Sequence, residues 1–384
     1  MGISRLAPCL LPIAYCLLPA CLPCNETSRN PMSEIVLKPK AARKLVLDAL
    51  VGAGARRDNV EFLADGIIDT ELSGLSGHGF YWLQFYCAHL ESGKVDGRVT
   101  PLIKRLSPVA FRADARHGFA HPAIERGFAK LVPAALKYGI AGLAVHNSYN
   151  AATLGYHTGH LARHGLLAFG FTNSTPAIAP VGGRTPVIGT NPLSFAVPAR
   201  NGRIAFLVDQ SSSAVAWTAV KRAAEEKRSI PLGWALDSEG RPTTDPEQGL
   251  EGSMAPSGGY KGFGQGLIVE TMCAALSGAL LGTEMGSFTA NDGRPIDCGQ
   301  FFIALNPQIF SGFQFDKQVR ALVRSILAQE GARLPNARRE ASRKNLARTG
   351  LTLSRDLYDT IRAYADRAPG SAVDRPLSKR RRGV

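Results

Sequence analysis

Two residues, His78 and Asp209, stand where their side chains could transfer or direct a proton. His78 lies between Gly77 and Gly79, directly after an amphipathic segment. An imidazole on such a loop exchanges a proton near neutral pH, and the flanking glycines would let a ligand approach it closely. A surface-turn histidine explains the pattern equally well. Asp209 ends the apolar run "AFLV", where it could orient a histidine or cap the next helix.

A glycine-rich turn is the third feature that could bind a ligand or take part in a reaction. The segment "SGGYKGFG", from Ser257 to Gly264, places Lys261 and unhindered backbone N–H groups at the start of an apolar helix. This arrangement can hold a phosphate, although it has neither the Rossmann dinucleotide fingerprint nor the spacing of a P-loop. A glycine turn that packs a helix against a sheet is an equally good interpretation of these residues alone.

The histidine-rich stretch, His146–His164, contains four of the eight histidines. His157, His160 and His164 are spaced three and four residues apart, which would place them on one helix face suited to zinc or nickel. The stretch contains no carboxylate or cysteine to complete a metal shell, and cationic side chains also suit a helix C-terminus. We therefore expect no metal site here.

The elements that carry these residues alternate between helix and strand. Apolar spacing predicts amphipathic helices near the N-terminus and short buried strands on either side of the histidine-rich stretch. This alternation predicts an α/β fold whose sheet is at least partly buried. The predicted helices span 39–53, 58–72, 151–163 and 211–227, and a glycine turn leads into a long helix over 257–282. The predicted strands span 139–148, 166–172, 203–209 and 299–307. Segment 234–246 is expected to be irregular, and helices are expected from 313 onward.

The net charge of +14 is concentrated near the C-terminus. Residues Gly331–Val384 contain fourteen lysines and arginines against five acidic residues, and the segment "SKRRRG" lies close to the chain end. A terminal charge run is typical of a solvated end, and no nucleic-acid-binding motif accompanies it. We therefore expect a basic disordered tail over 369–384 and no nucleic-acid partner.

The first 31 residues differ from the rest of the chain. They contain four of the seven cysteines and an uncharged, proline-interrupted segment that partly resembles a signal peptide. Because an ordinary amphipathic protein start follows at Met32, we interpret 1–31 as an over-extended start or a disordered segment, with an export signal as the alternative. The other cysteines are scattered and no later segment is apolar enough to span a bilayer, so we expect a cytoplasmic protein without a membrane partner.

Five segments together resemble the malate/L-lactate dehydrogenase family that is unrelated to Rossmann-type lactate dehydrogenases. This family includes malate, sulfolactate and ureidoglycolate dehydrogenases and the reductases of delta-1-piperideine-2-carboxylate and delta-1-pyrroline-2-carboxylate. The resemblance covers about 33–365. It rests on Gly182–Pro198 ("GGRTPVIGTNPLSFAVP"), Phe206–Ser213 ("FLVDQSSS"), Gly258–Gly264 ("GGYKGFG"), Gly299–Pro307 ("GQFFIALNP") and Ala332–Arg339 ("ARLPNARR").

The resemblance implies a fold, a cofactor and an assembly. It implies an α/β fold in which a mixed sheet with flanking helices binds a nicotinamide dinucleotide without the Rossmann motif, as an obligate homodimer. It divides the chain into a helical substrate and dimerisation domain, 32–115 with 310–368, and a cofactor-binding α/β domain, 116–309.

The resemblance also implies roles for individual residues. His78 and Asp209 match the catalytic histidine and its aspartate, and Ser76 lies one place before the family's serine position, which is Gly77 here. Ten residues match cofactor contacts, and the arginines among them could pair with phosphates, including a 2′-phosphate, which favours NADP over NAD. They are His146, Asn147, Ser148, Thr190, Asn191, Lys261, Gly262, Arg333, Arg338 and Arg339.

The expected substrate contacts depart from the family pattern. Trp82 aligns with a substrate-binding arginine, Asn150 with a histidine, and Tyr260 with the histidine of the glycine-rich turn. We place Trp82 and Asn150 at the substrate and leave open which group binds its carboxylate.

The resulting prediction is an NAD(P)-dependent oxidoreductase acting at C2 of a small carboxylate, which is a 2-oxo or 2-hydroxy acid or a cyclic 2-imino acid. A cyclic imine is more basic and can arrive protonated, so the loss of auxiliary acids favours an imine reductase over a malate-, lactate- or sulfolactate-type dehydrogenase. Alternatives from other classes are a cofactor-binding protein without turnover and a protein attached to nucleic acid or membrane through its ends.

Overall fold

The computed structural model describes residues 34–369. The segment 1–31 and residues 370–384 of the predicted basic tail 369–384 lie outside this range. The helices are α1 (Pro39–Gly52), α2 (Arg57–Leu72), α3 (Phe80–Glu91), α4 (Ala120–Tyr138), α5 (Leu154–Arg163), α6 (Trp217–Glu225), α7 (Pro246–Glu251), α8 (Tyr260–Glu270), α9 (Pro307–Ser311), α10 (Phe315–Leu327), α11 (Ala337–Thr349) and α12 (Arg355–Ala365). The strands are β1 (Glu34–Leu37), β2 (Leu102–Arg105), β3 (Ala110–Asp114), β4 (Ile140–Ser148), β5 (Leu167–Thr172), β6 (Leu193–Pro198), β7 (Ile204–Gln210), β8 (Ala235–Leu236), β9 (Pro242–Thr243), β10 (Ser253–Met254), β11 (Cys298–Leu305) and β12 (Leu351–Ser354).

A seven-stranded mixed sheet forms the centre, in the order β2-β3-β4-β11-β5-β6-β7. β3 and β4 are parallel, and the other neighbouring strands are antiparallel. Because β11 runs antiparallel to both β4 and β5, and β6 runs antiparallel to both β5 and β7, the strands β4, β5 and β7 all end at one edge. The expected α/β fold, a mixed sheet with flanking helices, is confirmed.

Helices cover both faces of this sheet. Phe128 of α4 and Leu161 of α5 pack on the face that carries Phe302, whereas Val269 of α8 packs with Phe301 on the opposite face. Successive side chains of a strand point to opposite faces, so neighbouring phenylalanines of β11 enter different cores. Burial on both faces explains why β4 and β5 have nearly continuous apolar sequences.

A second core joins the two ends of the described chain. Leu45 of α1, Ile67 of α2, Leu83 of α3 and Ile361 of α12 belong to one buried cluster, and β1 pairs antiparallel with β12. β2 and β3 precede residue 116, yet both belong to the central sheet. Within residues 34–369, no helix combines the length and the apolar character needed to cross a bilayer.

The predicted helix over 211–227 is shorter than expected. α6 begins only at Trp217, because the backbone N–H groups of Ser212 and Ala214 donate to carbonyl oxygens of other segments, at 2.7 and 2.8 Å. The hydroxyls of Ser212 and Ser213 also donate to loop carbonyl oxygens. Neither serine caps α6, whose N-cap residue is Ala216. The expectation that these serines open the helix is therefore wrong.

Other predicted elements agree with the structure or are corrected by it. α1, α2, β4, β5, β7 and β11 match predicted elements to within a few residues, and α5 begins at Leu154 rather than at 151. The long helix predicted over 257–282 ends as α8 at Glu270 and continues as the π-helical segment Thr271–Leu276. The segment expected to be irregular holds the paired strands β8 and β9, and β12 interrupts the helices after 313.

The histidines of the histidine-rich stretch have separate surroundings. His157 is buried, with its ring centroid 4.9 Å from that of His121. His160 lies 3.1 Å from the carboxylate of Glu125, and His164 Nδ1 lies 3.0 Å from the His160 carbonyl oxygen. Within residues 34–369, no group of three or more His, Cys, Asp or Glu could hold a metal ion.

We expect the buried pair His121 and His157 to make the folded state less stable as the pH falls. Burial lowers the pKa of His157 to about 4 and holds the pKa of His121 well below its usual value. An unfolded histidine titrates near pH ~6.5, so below that pH the unfolded state binds more protons and unfolding becomes easier. His157 alone should contribute about 3 kcal/mol of destabilisation between about pH 7 and about pH 4.

Urea unfolding at a series of pH values measures this effect. The His157→Gln variant cannot titrate, so its free energy of unfolding should depend less on pH than that of the wild type. The exposed His164→Gln variant should keep the wild-type dependence. Equal dependence in all three proteins would contradict the assignment.

Candidate active site

The strand ends at one edge of the central sheet enclose a cavity of about 530 Å³. Asn150 follows β4, Thr172 ends β5, Asp209 lies near the end of β7, and Cys298 begins β11; all four line the cavity. The carboxyl ends of strands are where open α/β sheets bind ligands. This cavity is therefore the candidate active site.

Six residues singled out from the sequence come together in this lining, from segments far apart in the chain. They are His78, Trp82, Asn150, Thr190, Asp209 and Arg339. Ser76 shares the turn of His78, but it is exposed and does not line the cavity. The remaining predicted cofactor residues lie outside the lining.

Asp209 is held by an ion pair and by a helix N-terminus. Its Oδ2 accepts hydrogen bonds from Arg339 Nη1 at 2.9 Å and from the Gly155 N–H at 3.1 Å, and Arg339 Nη2 donates to the Asp209 carbonyl oxygen at 3.1 Å. Gly155 belongs to the first turn of α5. Asp209 therefore caps a helix that precedes it in the chain, not the helix that follows.

His78 presents an uncommitted imidazole to the cavity. It ends a single 3₁₀ turn, Ser76–His78, in which its backbone N–H donates to the Leu75 carbonyl oxygen at 2.8 Å. The imidazole makes no hydrogen bond with any residue in 34–369, Asp209 included. Burial lowers the pKa of His78, while the charge of Asp209 raises it and that of Arg339 lowers it. Asp209 thus acts on His78 through its charge and not through a contact.

The glycines that flank His78 make room for protein atoms. A Cβ on Gly79 would overlap the carboxylate of Glu71, and a Cβ on Gly77 would lie 3.2 Å from Thr218 Oγ1. The sequence interpretation, in which these glycines admit a ligand, is therefore corrected.

Residues at the end of β4 are engaged with the protein. Asn147 has a φ of 47° and donates from Nδ2 to Asp114 Oδ1 at 3.0 Å. Ser148 is buried, and burial is the main reason that the pKa of His146 is lowered. The Asn147 side chain thus ties the end of β4 to the end of β3.

Asn191 ties together the loops that carry Thr190 and Ser174, both of which line the cavity. It is fully buried, its Nδ2 donates to Glu270 Oε2 at 2.7 Å, and its Oδ1 accepts the Ser174 N–H at 3.2 Å. The structure thus gives Asn191 a supporting position beneath the cavity wall.

The glycine-rich turn before α8 is open to solvent and suits a phosphate. Gly258 and Gly259 have φ values of 64° and 67°, and a Cβ on either would meet no atom within 4 Å. Lys261 is exposed and forms no ion pair within the described chain. A Cβ on Gly262, in contrast, would overlap the backbone of Ser257, so Gly262 lets α8 pack closely. The Gly259 N–H donates to the Pro256 carbonyl oxygen at 3.1 Å. The open space around the two glycines, the unpaired lysine and the N-terminus of α8 could together hold a phosphate.

Two arginines lie on the protein surface at the start of α11. Arg333 precedes the helix and Arg338 is its second residue. Both are exposed, and neither forms an ion pair with a residue of 34–369. Both are therefore available to bind an anion.

Several residues of the site were missed in the sequence. Asn173, Ser174 and Thr175 follow β5 directly and line the cavity. Polar residues at the end of a buried strand were a usable signal. Phe288 and Trp217 also line the cavity, but neither stands in a pattern that marks a ligand site.

Comparison with known proteins decides the family. The family model described as malate/L-lactate dehydrogenase matches residues 37–362. The chain belongs to this family. The resemblance drawn from the sequence motifs is confirmed.

Relatives within the malate/L-lactate dehydrogenase family differ in substrate. A (2R)-3-sulfolactate dehydrogenase (NADP(+)) from Chromohalobacter salexigens is 40% identical over 85% of this chain and 97% of that protein. A Delta(1)-pyrroline-2-carboxylate reductase from Ancylobacter novellus is 34% identical over 84% of this chain and 95% of that protein. The crystal structure of delta1-piperideine-2-carboxylate reductase from Pseudomonas syringae pvar. tomato has a TM-score of 0.81 at 29% identity, covering 86% of this chain and 99% of that one.

Proposed function

We propose that this member of the malate/L-lactate dehydrogenase family is an NAD(P)-dependent oxidoreductase that acts at C2 of a small carboxylate. The observation that carries the proposal is the cavity in which the free imidazole of His78 lies beside the Asp209–Arg339 pair. The nicotinamide cofactor, when bound, supplies or accepts the hydride. The protein supplies position and one proton.

His78 donates that proton in the reductive direction. Reduction of a ketone places negative charge on oxygen, and a positioned acid neutralises it in the transition state. Burial lowers the pKa of His78 and makes its imidazolium a stronger acid, while the Asp209 carboxylate limits this shift. Arg339 holds Asp209 in place, so the two groups set the acidity of His78 together.

A cyclic 2-imino acid, such as delta-1-pyrroline- or delta-1-piperideine-2-carboxylate, is the substrate class that the lining supports best. Trp82 and Phe288 form an aromatic wall, with ring centroids 6.4 Å apart in an edge-on arrangement. Among the described residues that line the cavity, Arg339 is the one lysine or arginine, and Asp209 already balances its charge. A ring with one carboxylate suits this wall better than a dianion, which would place two negative charges in a lining without an unbalanced lysine or arginine.

A 2-hydroxy or 2-oxo acid is the second candidate. It is favoured by the 40% identity to a sulfolactate dehydrogenase. Oxidation of NADH and NADPH in the presence of a panel of cyclic imino acids, 2-oxo monoacids and 2-oxo diacids tests both candidates. Faster turnover of the cyclic imino acids supports the first. Cofactor binding without turnover of any panel member would indicate the cofactor-binding protein instead.

Lys261, Arg333 and Arg338 are proposed to hold cofactor phosphates, with NADP favoured over NAD. The Lys261→Ala variant should bind NADPH about tenfold to a hundredfold more weakly, because a charge-assisted hydrogen bond is lost. Its kcat at saturating cofactor should stay close to that of the wild type. Titration of NADPH fluorescence measures the affinity.

The matched control for this variant is Lys137→Ala, which removes an exposed lysine outside the cavity. It should bind NADPH as the wild type does. Equal affinity of the Lys261→Ala variant and this control would remove Lys261 from the cofactor site.

We also propose a cytoplasmic homodimer without nucleic-acid or membrane partners. Phe310, Phe313 and Leu322 expose 64%, 82% and 51% of their surface on or near α10, which contains no buried residue. Such apolar side chains favour a protein interface. Cys87, Cys273 and Cys298 are free, as suits a reducing compartment. Within the dimer, 32–115 with 310–368 would form the substrate and dimerisation domain, except for β2 and β3, which belong to the central sheet, and 116–309 would form the cofactor-binding domain.

A further inference from the structure

Glu71 is a buried carboxylate that the proposed chemistry does not use. It is the second-to-last residue of α2 and is only 5% exposed. Its Oε1 accepts the N–H of Phe80, the first residue of α3, at 2.6 Å. One side chain therefore joins the end of α2 to the start of α3, across the turn that carries His78.

The same carboxylate also determines the shape of that turn. A Cβ on Gly79 would overlap the Glu71 carboxylate, so the residue after His78 must be glycine wherever Glu71 occupies this space. The Gly79 carbonyl oxygen in turn accepts the N–H of Trp82 at 3.1 Å. Glu71 thus packs directly on the backbone between His78 and Trp82, the two residues that this turn and α3 contribute to the proposed reaction.

The imidazole of His78 has no hydrogen bond of its own within residues 34–369 to fix its position. Its placement depends on the backbone of the turn, where the His78 N–H bonds to Leu75 and the Leu75 N–H bonds to Thr70 at 3.2 Å. These bonds hold the turn to α2. Glu71 is the described side chain that holds its other end to α3.

We propose that Glu71 is a positioning residue for the active site. By accepting the Phe80 N–H and filling the space over Gly79, it sets the placement of the His78 imidazole and the Trp82 ring. The role rests on the proposed function of His78. It needs an acceptor oxygen of the right shape and not a negative charge, because the contact is a hydrogen bond from a backbone amide.

Two substitutions of similar size separate positioning from general stability. Glu71→Gln keeps the shape and an acceptor oxygen, and its kcat should stay within about threefold of the wild type. Glu71→Leu keeps the bulk without the acceptor, and its kcat should fall by about 10²-fold, as expected for displacement of a catalytic group by about 1 Å. The KM for the cofactor should be unchanged in both. Glu61→Leu, at an exposed position of α2, is the matched control.

A second readout makes the test independent of turnover. The NMR resonances of the His78 imidazole, assigned by comparison with His78→Gln, should coincide in the wild type and Glu71→Gln and should shift in Glu71→Leu. Unshifted resonances with wild-type kcat in a folded Glu71→Leu protein would overturn the proposal, as would an equal loss in Glu71→Gln. If the wild type turned over no compound of the panel, the proposed function would fail, and these resonances would still decide the role of Glu71.

If Glu71→Leu does not fold, Gly79→Ala provides the same test, because its added methyl group displaces the carboxylate. This variant should lose kcat and shift the His78 resonances, and adding Glu71→Ala should restore neither, because the Phe80 N–H still lacks its acceptor. Wild-type values in Gly79→Ala, or recovery of kcat and of the His78 resonances in the double variant, would overturn the proposal.

Discussion

Replacing His78 with alanine should lower kcat by about 10²- to 10⁴-fold, the range that a positioned acid contributes. The loss should be largest for 2-oxo acids, which depend fully on an external proton. It should be smaller for a cyclic imine that arrives protonated. Affinity for NADPH should change little, because the exposed turn before α8 and the arginines before and in α11, not His78, are proposed to hold the cofactor.

Steady-state kinetics with a 2-oxo acid and a cyclic imino acid measure this difference. His164→Ala is the control, since it removes an exposed histidine outside the cavity. It should leave kcat unchanged. Turnover of the His78→Ala variant within a few-fold of the wild type on every substrate would remove His78 from the acid role.

Replacing Asp209 with asparagine should have the second largest effect, a loss of about 10²-fold in kcat at neutral pH. The charge of Asp209 raises the pKa of His78, whereas Arg339 lowers it. Without the carboxylate only the lowering influence remains, so less imidazolium is present at a given pH. Reduction needs the protonated form of His78, so activity is lost as the pH rises. The midpoint of this loss should lie at a lower pH in the Asp209→Asn variant than in the wild type.

The Arg339→Gln variant should move this pH dependence in the opposite direction. It leaves the Asp209 carboxylate without its 2.9 Å ion pair, which favours the protonated form of His78. The double variant should lie between the two single variants. The pH profile of kcat/KM measures all three, and coincident profiles would show that neither charge acts on His78.

Much of the sheet could be predicted from the sequence because its strands are buried on both faces. β4 and β5 have nearly continuous apolar sequences that are too short for a typical helix, which favours a buried strand. β12 was missed because it has only four residues and pairs with β1, at the other end of the chain. Its register partner is not visible from local spacing.

The candidate site was predictable where a local pattern marked it. Asp209 ends an apolar strand, and His78 stands in a motif that resembles the family's. The pairing of Asp209 with Arg339 joins residues 130 positions apart, so local spacing does not reveal it. The burial of Glu71 could not be predicted from the sequence either, since a glutamate near the end of an amphipathic helix is usually solvated.

Transfer of deuterium from NADPH labelled at both C4 positions tests most directly whether this cavity carries out hydride transfer to C2. With delta-1-pyrroline-2-carboxylate, the reduced product should carry one deuterium at C2, detected by mass spectrometry and NMR. The His78→Ala variant should give the same labelled product at a much lower rate. Product without deuterium at C2, or no product from any compound of the panel, would contradict the proposed function.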